Sequence, residues 1–437
     1  MVSIDFQKYH EILTKSNFVE YIGKVTKVVG LTIESNGPEV SIGELCILHS
    51  ANKRKSIKAE VVGFRDNKVL LMPLGDMSGI GPGSTVIATG GYLKVAVGKK
   101  LIGRIIDGMG NPIDDKGDLE AEEYYPVYND PPHPLFRKRI TEPLSLGVKV
   151  VDGLLTIGKG QRMGIFAGSG VGKSTLIGMI ARNTKADINV IALIGERGRE
   201  VREFIEKDLK EEGLARSIVI VATSDQPALI RLKGALLATA VAEYFRDQGK
   251  DVLLLMDSLT RFAMAQREIG LAIGEPPVSR GYTPSVYAIM PKLLERSGNS
   301  EKGSITGLYS VLVDGDDMNE PVTDTARGIL DGHIVLSRSL ANRNQYPAID
   351  VLASISRVMG DVVSSEHKSL ANEIKKSMAV YRDAEDLINI GAYVKGSNEK
   401  IDYAISVIDN IIGFIEQGTG DKYSFEEMLD LISKVLK

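Results

Sequence analysis

The stretch MGIFAGSGVGKSTLIGMIARN, residues 163–183, decides the fold of this chain. Its first five residues form an apolar run with the length of a buried strand. A glycine-rich turn follows, and a helical apolar spacing begins at about Gly172. In such a strand–turn–helix unit, inward-facing backbone N–H groups and the positive end of the helix bind anions. The stretch therefore predicts a phosphate-binding loop on a parallel sheet.

The loop also supplies the side chains that phosphate chemistry needs. Lys173 is placed to reach the β- and γ-phosphates of a nucleotide, and the Ser174 hydroxyl is placed to ligate Mg²⁺. Ala167 stands where the motif has its first glycine, a change of one methyl group at the strand exit. The residues expected to contact the nucleotide are Gly168, Ser169, Gly170, Val171, Gly172, Lys173, Ser174 and Thr175.

A second metal-side carboxylate is expected from another strand. Strands and helices alternate between about residues 101 and 356, which is typical of a parallel sheet covered on both faces. The apolar run 252–256 ends in Asp257, so this carboxylate should lie at the carboxyl edge of the sheet, near the Mg²⁺. The alternative is that Asp257 caps the helix that follows it.

A third strand ends in candidate catalytic residues. Ile188–Ile194 runs into GERGRE, where Glu196 is placed to orient the attacking water. Arg197 is placed to stabilise the negative charge that develops on the γ-phosphate during hydrolysis. The alternative is a surface turn of solvated charges, which the nearby phosphate loop disfavours.

The composition excludes several classes of protein. The chain has 437 residues, a formal net charge of −4 and a single cysteine, Cys46. No global charge attracts it to nucleic acid or to an anionic membrane, and a disulfide framework is excluded. Neither a signal sequence nor an apolar run of membrane-spanning length is found, so a cytoplasmic protein is expected.

Four regions differ in sequence pattern. Residues 1–20 carry an apolar stripe, which indicates a helix that either binds a partner or folds back on the next domain. Residues 21–92 contain the short, closely spaced β-branched runs of a small barrel or sandwich. Residues 93–356 form the predicted α/β core with the phosphate loop, and residues 357–437 form a predicted helical domain.

Long phrases of the sequence resemble one known family. They are GRIIDGMGNPID (103–114), EPLSLGVKVVDGLLTIGKGQR (142–162), IGERGREVREFIE (194–206), YPAID (346–350) and GAYVKGSNEKIDYAI (391–405). Over nearly its whole length the chain is similar to the rotary ATP synthase alpha/beta-like family, and more closely to the flagellar type III export ATPases within it. The resemblance implies a RecA-like P-loop core, an N-terminal β-barrel and a C-terminal helical domain.

Two further roles come from the resemblance alone. Arg357 matches the arginine finger that reaches the nucleotide of the neighbouring subunit, and Tyr346 matches the aromatic residue that stacks on adenine. The resemblance implies ATP and Mg²⁺ as ligands, with the metal held by Ser174 and Asp257. The implied catalytic residues are Lys173, Glu196, Arg197, Asp257 and Arg357.

The resemblance also implies partners and a location. A homo-hexamer is expected to sit in the cytoplasm, peripherally associated with the inner face of the cell membrane at the export gate. There it would hydrolyse ATP to release export chaperones and to unfold and deliver export substrates. A stator-like regulatory protein is expected to bind the N-terminal helix, 1–20.

Three alternatives to flagellar export remain. The ATPase of a virulence type III secretion system shares the same motifs. A rotary ATP synthase catalytic subunit is disfavoured because the helical tail lacks the acidic rotor-contacting motif. A hexameric RNA translocase needs a barrel with a basic face and stacking aromatics, and residues 21–89 lack that pairing, so no nucleic-acid partner is expected.

Overall fold

The computed structural model describes residues 22–51, 54–313, 315 and 317–436, which form two compact units. One unit contains the described residues through Leu93 together with Ile269–Glu275. The other contains Lys94–Glu268 and the residues from Pro276 onward. The predicted partner helix at 1–20 lies outside the described residues.

The first unit contains a closed barrel of six antiparallel strands. They are β1 (Ile22–Val29), β2 (Thr32–Asn36), β3 (Glu44–His49), β4 (Ser56–Arg65), β5 (Lys68–Pro73) and β6 (Thr85–Tyr92). Their order around the barrel is β1–β2–β5–β4–β3–β6, and β6 closes on β1. Alternate residues point inward, so Ile33, Cys46, Leu48 and Leu71 are fully buried in its core. The predicted small N-terminal β-barrel is confirmed.

The second unit is built on a sheet of nine strands, beside which β7 (Lys94–Val97) and β9 (Glu123–Pro126) form a separate pair. The nine are β8 (Ile105–Asp107), β10 (Arg162–Ala167), β11 (Ile188–Ile194), β12 (Ser217–Ala222), β13 (Asp251–Asp257), β14 (Gly298–Asn299), β15 (Ser304–Leu312), β16 (Gly332–Leu336) and β17 (Ile349–Ser356). The path is β17–β16–β10–β15–β13–β11–β12–β8, with β14 paired to β15.

This sheet is mostly parallel, as predicted. Only β14 and β17 run antiparallel to their neighbours. Every residue of β11 and β12 is buried, because helices cover the faces of the sheet. The carboxyl ends of β10, β11 and β13 therefore meet at one edge, which is where ligands bind in open α/β sheets.

The helices of the second unit cover this sheet and form the C-terminal region; only the end of α6 belongs to the first unit. They are α1 (Lys149–Leu154), α2 (Lys173–Asn183), α3 (Gly198–Glu203), α4 (Lys210–Leu214), α5 (Ala228–Asp247), α6 (Leu259–Ile273), α7 (Pro284–Glu295), α8 (Pro321–Ile329), α9 (Arg338–Asn342), α10 (Met359–Val362), α11 (Ser365–Asn389), α12 (Glu399–Ile415) and α13 (Phe425–Ile432). A π-helical turn at Phe204–Leu209 joins α3 to α4.

The C-terminal helices α11, α12 and α13 pack on α1, which is wholly buried. The close approach needs a glycine, because a Cβ at Gly153 would lie 2.8 Å from Cζ of Phe414. The spacing of apolar residues predicts α11 and α12 but not α13. Helix α13 nevertheless begins with a capping box, in which Ser424 and Glu427 satisfy each other's backbone N–H groups.

Among the residues that the structure describes, no helix is both long enough and apolar enough to cross a membrane.

Candidate active site

The phosphate-binding loop links β10 to α2. Gly170 and Gly172 have φ angles of 78° and 88°, in the left-handed region that favours glycine, and Gly172 is the N-cap residue of α2. Lys173 is the first residue of the helix. Ala167 ends β10 and is buried, so its extra methyl group lies within the core and leaves the turn intact.

Three of the predicted site residues lie together at the carboxyl edge of the sheet. Nζ of Lys173 lies 2.5 Å from Oδ1 of Asp257 and 4.0 Å from Oε1 of Glu196. Adjacent strands bring them together, since Leu193 of β11 pairs with Asp257 of β13. The three side chains are only 12%, 8% and 16% exposed, respectively, so their charges interact with little screening by water.

Asp257 is held by a second hydrogen bond. Oγ of Ser310, on β15, donates to Oδ1 of Asp257 at 2.6 Å. The next residue, Ser258, makes the capping hydrogen bond that was the alternative role of Asp257. Oγ of Ser258 accepts the backbone N–H of Arg261 at 3.3 Å. Asp257 is therefore aimed at Lys173 and the phosphate loop.

Glu196 has an unusual acidity. Burial, together with the negative charge of Asp257, raises its pKa to about 7, although Lys173 acts in the opposite direction. A hydrogen bond to Glu200 adds to this rise. Burial alone would raise the pKa of Glu200, but the hydrogen bond from Glu196 and the charge of Arg197 outweigh it, and that pKa is lowered. Glu196 is therefore poised to exchange a proton or orient water near neutral pH.

Arg197 lies beside this cluster. Its side chain is 79% exposed, and Nη1 lies 3.3 Å from Oε1 of Glu200. Arg197 is the N-cap residue of α3, directly after Glu196. Contact with a γ-phosphate would therefore need the exposed guanidinium to turn from Glu200 toward the loop.

Tyr346 borders the phosphate loop. A Cβ at Gly172 would lie 3.5 Å from Cδ1 and Cε1 of the Tyr346 ring. The residue is 41% exposed, so part of its aromatic surface is open to a ligand. An exposed ring at this place offers a stacking surface for a base.

Arg357 lies at the amino edge of the sheet, where the parallel strands begin, opposite the carboxyl edge that holds the phosphate loop. Because β17 runs antiparallel to β16, its first residue pairs with Leu336 and its last residue, Ser356, pairs with Gly332. The backbone N–H of Arg357 donates to the carbonyl oxygen of Asp331 at 3.1 Å. About 17 Å of strand, the length of β10, therefore separates the level of Arg357 from the phosphate loop. Arg357 and Lys173 of the same chain are not brought together.

Two domain models of one known family match this architecture. The β-barrel domain of the ATP synthase alpha/beta family matches residues 25–90, and the nucleotide-binding domain of that family matches residues 147–356. The chain belongs to the ATP synthase alpha/beta family. Its C-terminal residues 363–434 match the T3SS EscN ATPase C-terminal domain.

Relatives cover nearly the whole chain. The flagellum-specific ATP synthase of Bacillus subtilis is 58% identical over 416 residues, which are 94% of each chain. The type 3 secretion system ATPase of Xanthomonas euvesicatoria is 51% identical over 94% of this chain and 93% of its own. These names confirm the predicted family resemblance and the predicted P-loop ATPase of type III export.

Solved structures share the fold. The assembled ATPase EscN from the type III secretion system of enteropathogenic E. coli has a TM-score of 0.89 and 47% identity, covering 95% of this chain and all of that one. EscN in complex with its central stalk EscO has a TM-score of 0.88, with the same identity and coverage. The three-part fold predicted from the sequence is confirmed.

As a member of the ATP synthase alpha/beta family, the chain has a nucleotide as its ligand, and the loop fits one. A Cβ at Gly170 would have no neighbour within 4 Å, so the backbone there is open to a phosphate group. Ser174 lies in the first turn of α2 and is exposed. Its hydroxyl and the Asp257 carboxylate are hard oxygen donors of the kind that Mg²⁺ prefers. Thr175 lies one residue further on and is hydrogen-bonded to Asp208.

Three residues beside the site were not found from the sequence. Ser310 and Glu200 contact Asp257 and Glu196, as described above. The backbone N–H of Gln417 donates to the carbonyl oxygen of Tyr346 at 3.0 Å, and its buried side chain bridges Lys149 N, at 2.8 Å, and Gly147 O, at 3.0 Å. Glu200 was readable from the GERGRE phrase, whereas Gln417 is too far along the chain for any local pattern to place it here.

Proposed function

We propose that this chain is the ATPase of a flagellar type III protein export apparatus and that it hydrolyses Mg²⁺-ATP as a homo-hexamer. The observation that carries the proposal is the similarity, along nearly the full length, to flagellum-specific relatives. A site with an acidic cluster beside a phosphate loop at one sheet edge, and an exposed arginine at the other, supports it.

Binding of ATP rearranges the ion pair at the loop. Lys173, now paired with Asp257, would turn to the β- and γ-phosphates, and the Asp257 carboxylate would be released. Mg²⁺, held by Ser174 and the freed Asp257, would supply positive charge that neutralises the phosphate oxygens. The ionised Glu196 would then orient the attacking water, and Arg197 would face the γ-phosphate.

A second subunit completes the site. Arg357 lies too far from its own phosphate loop to neutralise charge there. In a ring, this edge of one subunit faces the nucleotide of the next, and the guanidinium then stabilises the transition state from outside. Hydrolysis would therefore depend on assembly.

Export places the hexamer at a membrane-bound machine. The ring would work in the cytoplasm and associate peripherally with the export gate, where it releases chaperones and delivers substrates. EscN has been solved with its central stalk, which supports a stalk-like partner here as well. Residues 1–20 would bind a stator-like regulatory protein, and no nucleic acid would take part.

The second candidate is the ATPase of a virulence type III secretion system. It is favoured by 51% identity to such an enzyme and by the match of residues 363–434 to the EscN C-terminal domain. Both candidates use the same site and differ in the substrates and partners of the ring. The site chemistry therefore does not separate them, and secretion must be measured.

Secretion in the protein's own host tests the proposal. Replacing the chromosomal gene with the Lys173→Ala variant should stop secretion of hook and filament proteins and leave cells without flagella. Lys185→Ala, an exposed lysine just beyond α2, is the matched control and should secrete normally. Normal flagella with loss of virulence effectors would favour the second candidate. Co-purification of a rotary shaft with alternating homologous subunits would instead make the chain a synthase component.

A further inference from the structure

The backbone that carries Arg357 is held at two consecutive residues. Arg357 N–H donates to the carbonyl oxygen of Asp331, as described above. Oγ of Ser356 donates to the carbonyl oxygen of Thr156 at 2.8 Å and accepts from Nε2 of Gln161 at 3.1 Å. Gln161 is fully buried, and the same Nε2 lies 3.1 Å from the carbonyl oxygen of Asp331. The end of β17 is thus fixed, while the Arg357 residue itself is exposed.

Asp331 is in turn fixed by Arg162. Its carboxylate accepts three hydrogen bonds from Arg162, from the backbone N at 3.0 Å, Nε at 3.0 Å and Nη2 at 3.1 Å. The Arg162 side chain is 15% exposed and also pairs with Glu295. One residue on, a Cβ at Gly332 would lie only 2.3 Å from the carbonyl oxygen of Ile355, so β16 and β17 touch through their backbones. The support of the finger is therefore rigid.

We propose that Gln161, Arg162 and Asp331 form a clamp that positions Arg357 for the neighbouring subunit's nucleotide. None of the three lies at the phosphate loop, so each is a positioning residue. A bidentate arginine–carboxylate pair fixes orientation as well as distance. A misplacement of about 1 Å at a reacting group costs on the order of a hundred-fold in rate, so a rigid support matters.

The inference rests on the proposed role of Arg357 as a finger acting in trans. It adds that the finger is set by contacts within its own subunit before the ring assembles. A purely structural role for the clamp would instead lower stability without a specific effect on the neighbour's site. The two cases differ in which subunit of a mixed ring carries the defect.

The chain contains a matched control pair. Asp114 accepts Nε of Arg104 at 2.7 Å, Nη2 of Arg104 at 2.9 Å and the backbone N of Ile105 at 3.0 Å. Like Asp331, Asp114 thus accepts two bonds from one guanidinium and one from a backbone N–H; it accepts a further one from the backbone N of Lys116 at 3.2 Å. This pair lies beside β8, at the opposite end of the sheet from β17. The Asp114 side chain is only 2% exposed, against 27% for Asp331, so Asp114→Asn should disturb folding at least as much.

The first measurement is steady-state ATP hydrolysis by the assembled full chain. Asp331→Asn should lower kcat roughly ten- to a hundred-fold, because the finger is misplaced, and should leave the KM for ATP within about two-fold. Asp114→Asn should leave both within about two-fold. Equal losses of kcat in the two variants would overturn the proposal.

Mixed rings give the second measurement. Asp331→Asn mixed with Lys173→Ala should regain activity, because one chain offers an intact site and the other an intact finger. Asp331→Asn mixed with Arg357→Ala should regain none, because neither chain has a competent finger. If the mixture with Lys173→Ala stays inactive while Arg357→Ala plus Lys173→Ala recovers, Asp331 acts within its own site and the clamp is wrong.

A milder variant guards against misfolding. Ser356→Ala removes only the hydroxyl that contacts Gln161 and Thr156, and it should reproduce the kcat loss and the mixing pattern at smaller amplitude. Full activity of both Ser356→Ala and Asp331→Asn beside an inactive Arg357→Ala would reject the clamp and leave the proposed function standing. Full activity of Arg357→Ala itself would reject the trans-acting finger and the clamp with it, while the proposed role in export would be tested separately by the secretion experiment.

Discussion

The two edges of the central sheet are built on different principles. At the carboxyl edge, Lys173 at the start of α2 meets Glu196 and Asp257, which follow or end strands β11 and β13 of the same chain. At the opposite, amino edge, Arg162 and Asp331 are paired, and the exposed Arg357 lies about a strand's length from the phosphate loop of its own chain. Under the proposed function, the carboxyl edge is complete within one chain, whereas Arg357 at the amino edge would act on the nucleotide of a second copy. The proposed division of the active site would make hydrolysis depend on assembly.

The largest expected effect tests the carboxyl edge. Lys173→Ala should reduce ATP hydrolysis to background, because the transferring phosphate loses its charge partner within the loop. The same variant should keep its fold, since the Lys173 side chain contacts acidic groups and not the core. Turnover by coupled assay and the thermal midpoint check both points, with Lys185→Ala as control. Near-normal turnover would remove the loop from the mechanism.

The next effect tests the amino edge. Arg357→Ala should lower kcat by roughly 1,000-fold, while nucleotide binding stays within about two-fold, because the finger acts on the transition state of a neighbour. Arg343→Ala removes another exposed arginine of the same unit and should be neutral. If mixing Arg357→Ala with Lys173→Ala restores no activity, the division of the site between the two edges fails.

The acidity of Glu196 gives a smaller effect confined to the carboxyl edge. With a pKa of about 7, the ionised fraction rises about ten-fold between pH 6 and pH 8, so kcat/KM should rise by a similar factor. Asp331→Asn should keep this profile at lower amplitude, because the clamp is remote from Glu196. A pH-independent rate across this window would remove Glu196 from the water-activating step.

The same carboxyl links folding stability to pH. Its pKa rises on folding from 4.5 to about 7, so the folded protein retains a proton that the unfolded chain releases. The contribution of Glu196 to the free energy of unfolding therefore falls as pH rises from about 4.5 to about 7. Thermal midpoints of the natural protein should drop relative to Glu196→Gln across this range. A constant difference would contradict the assigned burial of this group.

The smallest expected effect concerns the stacking of Tyr346 on the adenine base of the nucleotide. Tyr346→Ala should weaken ATP binding about ten-fold, which corresponds to the loss of one aromatic stacking contact. Tyr346→Phe keeps the ring and should bind within about two-fold. Binding of a fluorescent nucleotide to the two variants separates stacking from the hydroxyl. Equal affinity of Tyr346→Ala and the natural protein would leave Tyr346 as a packing residue.

The carboxyl edge was predictable because its signals are local. Strand–loop–helix order locates Lys173 and Ser174, and strand Ile188–Ile194 has the predicted bounds. Glu196 and Asp257 each follow an apolar run, and the rule that parallel strands end at one edge brings them together.

The amino edge was not predictable, because its contacts are distant in sequence. Arg162 and Asp331 lie 169 positions apart, and neither stands in a motif that pairs charges. Arg357 was predicted as a finger only through the family resemblance, since a single arginine after a strand carries no pattern of its own. Helix α13 was missed although its capping box at Ser424 was visible, because the segment is short and its apolar spacing spans few turns.

Strand β17 joins these two edges. Tyr346 and Arg357 are only eleven positions apart in the chain, and the two ends of β17 pair with Leu336 and Gly332 of β16, which lie four residues, or about 13 Å, apart along that strand. In a ring, one end of this strand would lie on a subunit's own nucleotide and the other end on that of its neighbour. Each β17 would then connect two consecutive catalytic pockets through one rigid backbone segment. A small tilt of β17 caused by nucleotide binding at one pocket would move Arg357 at the next, so the two pockets would be coupled through the strand.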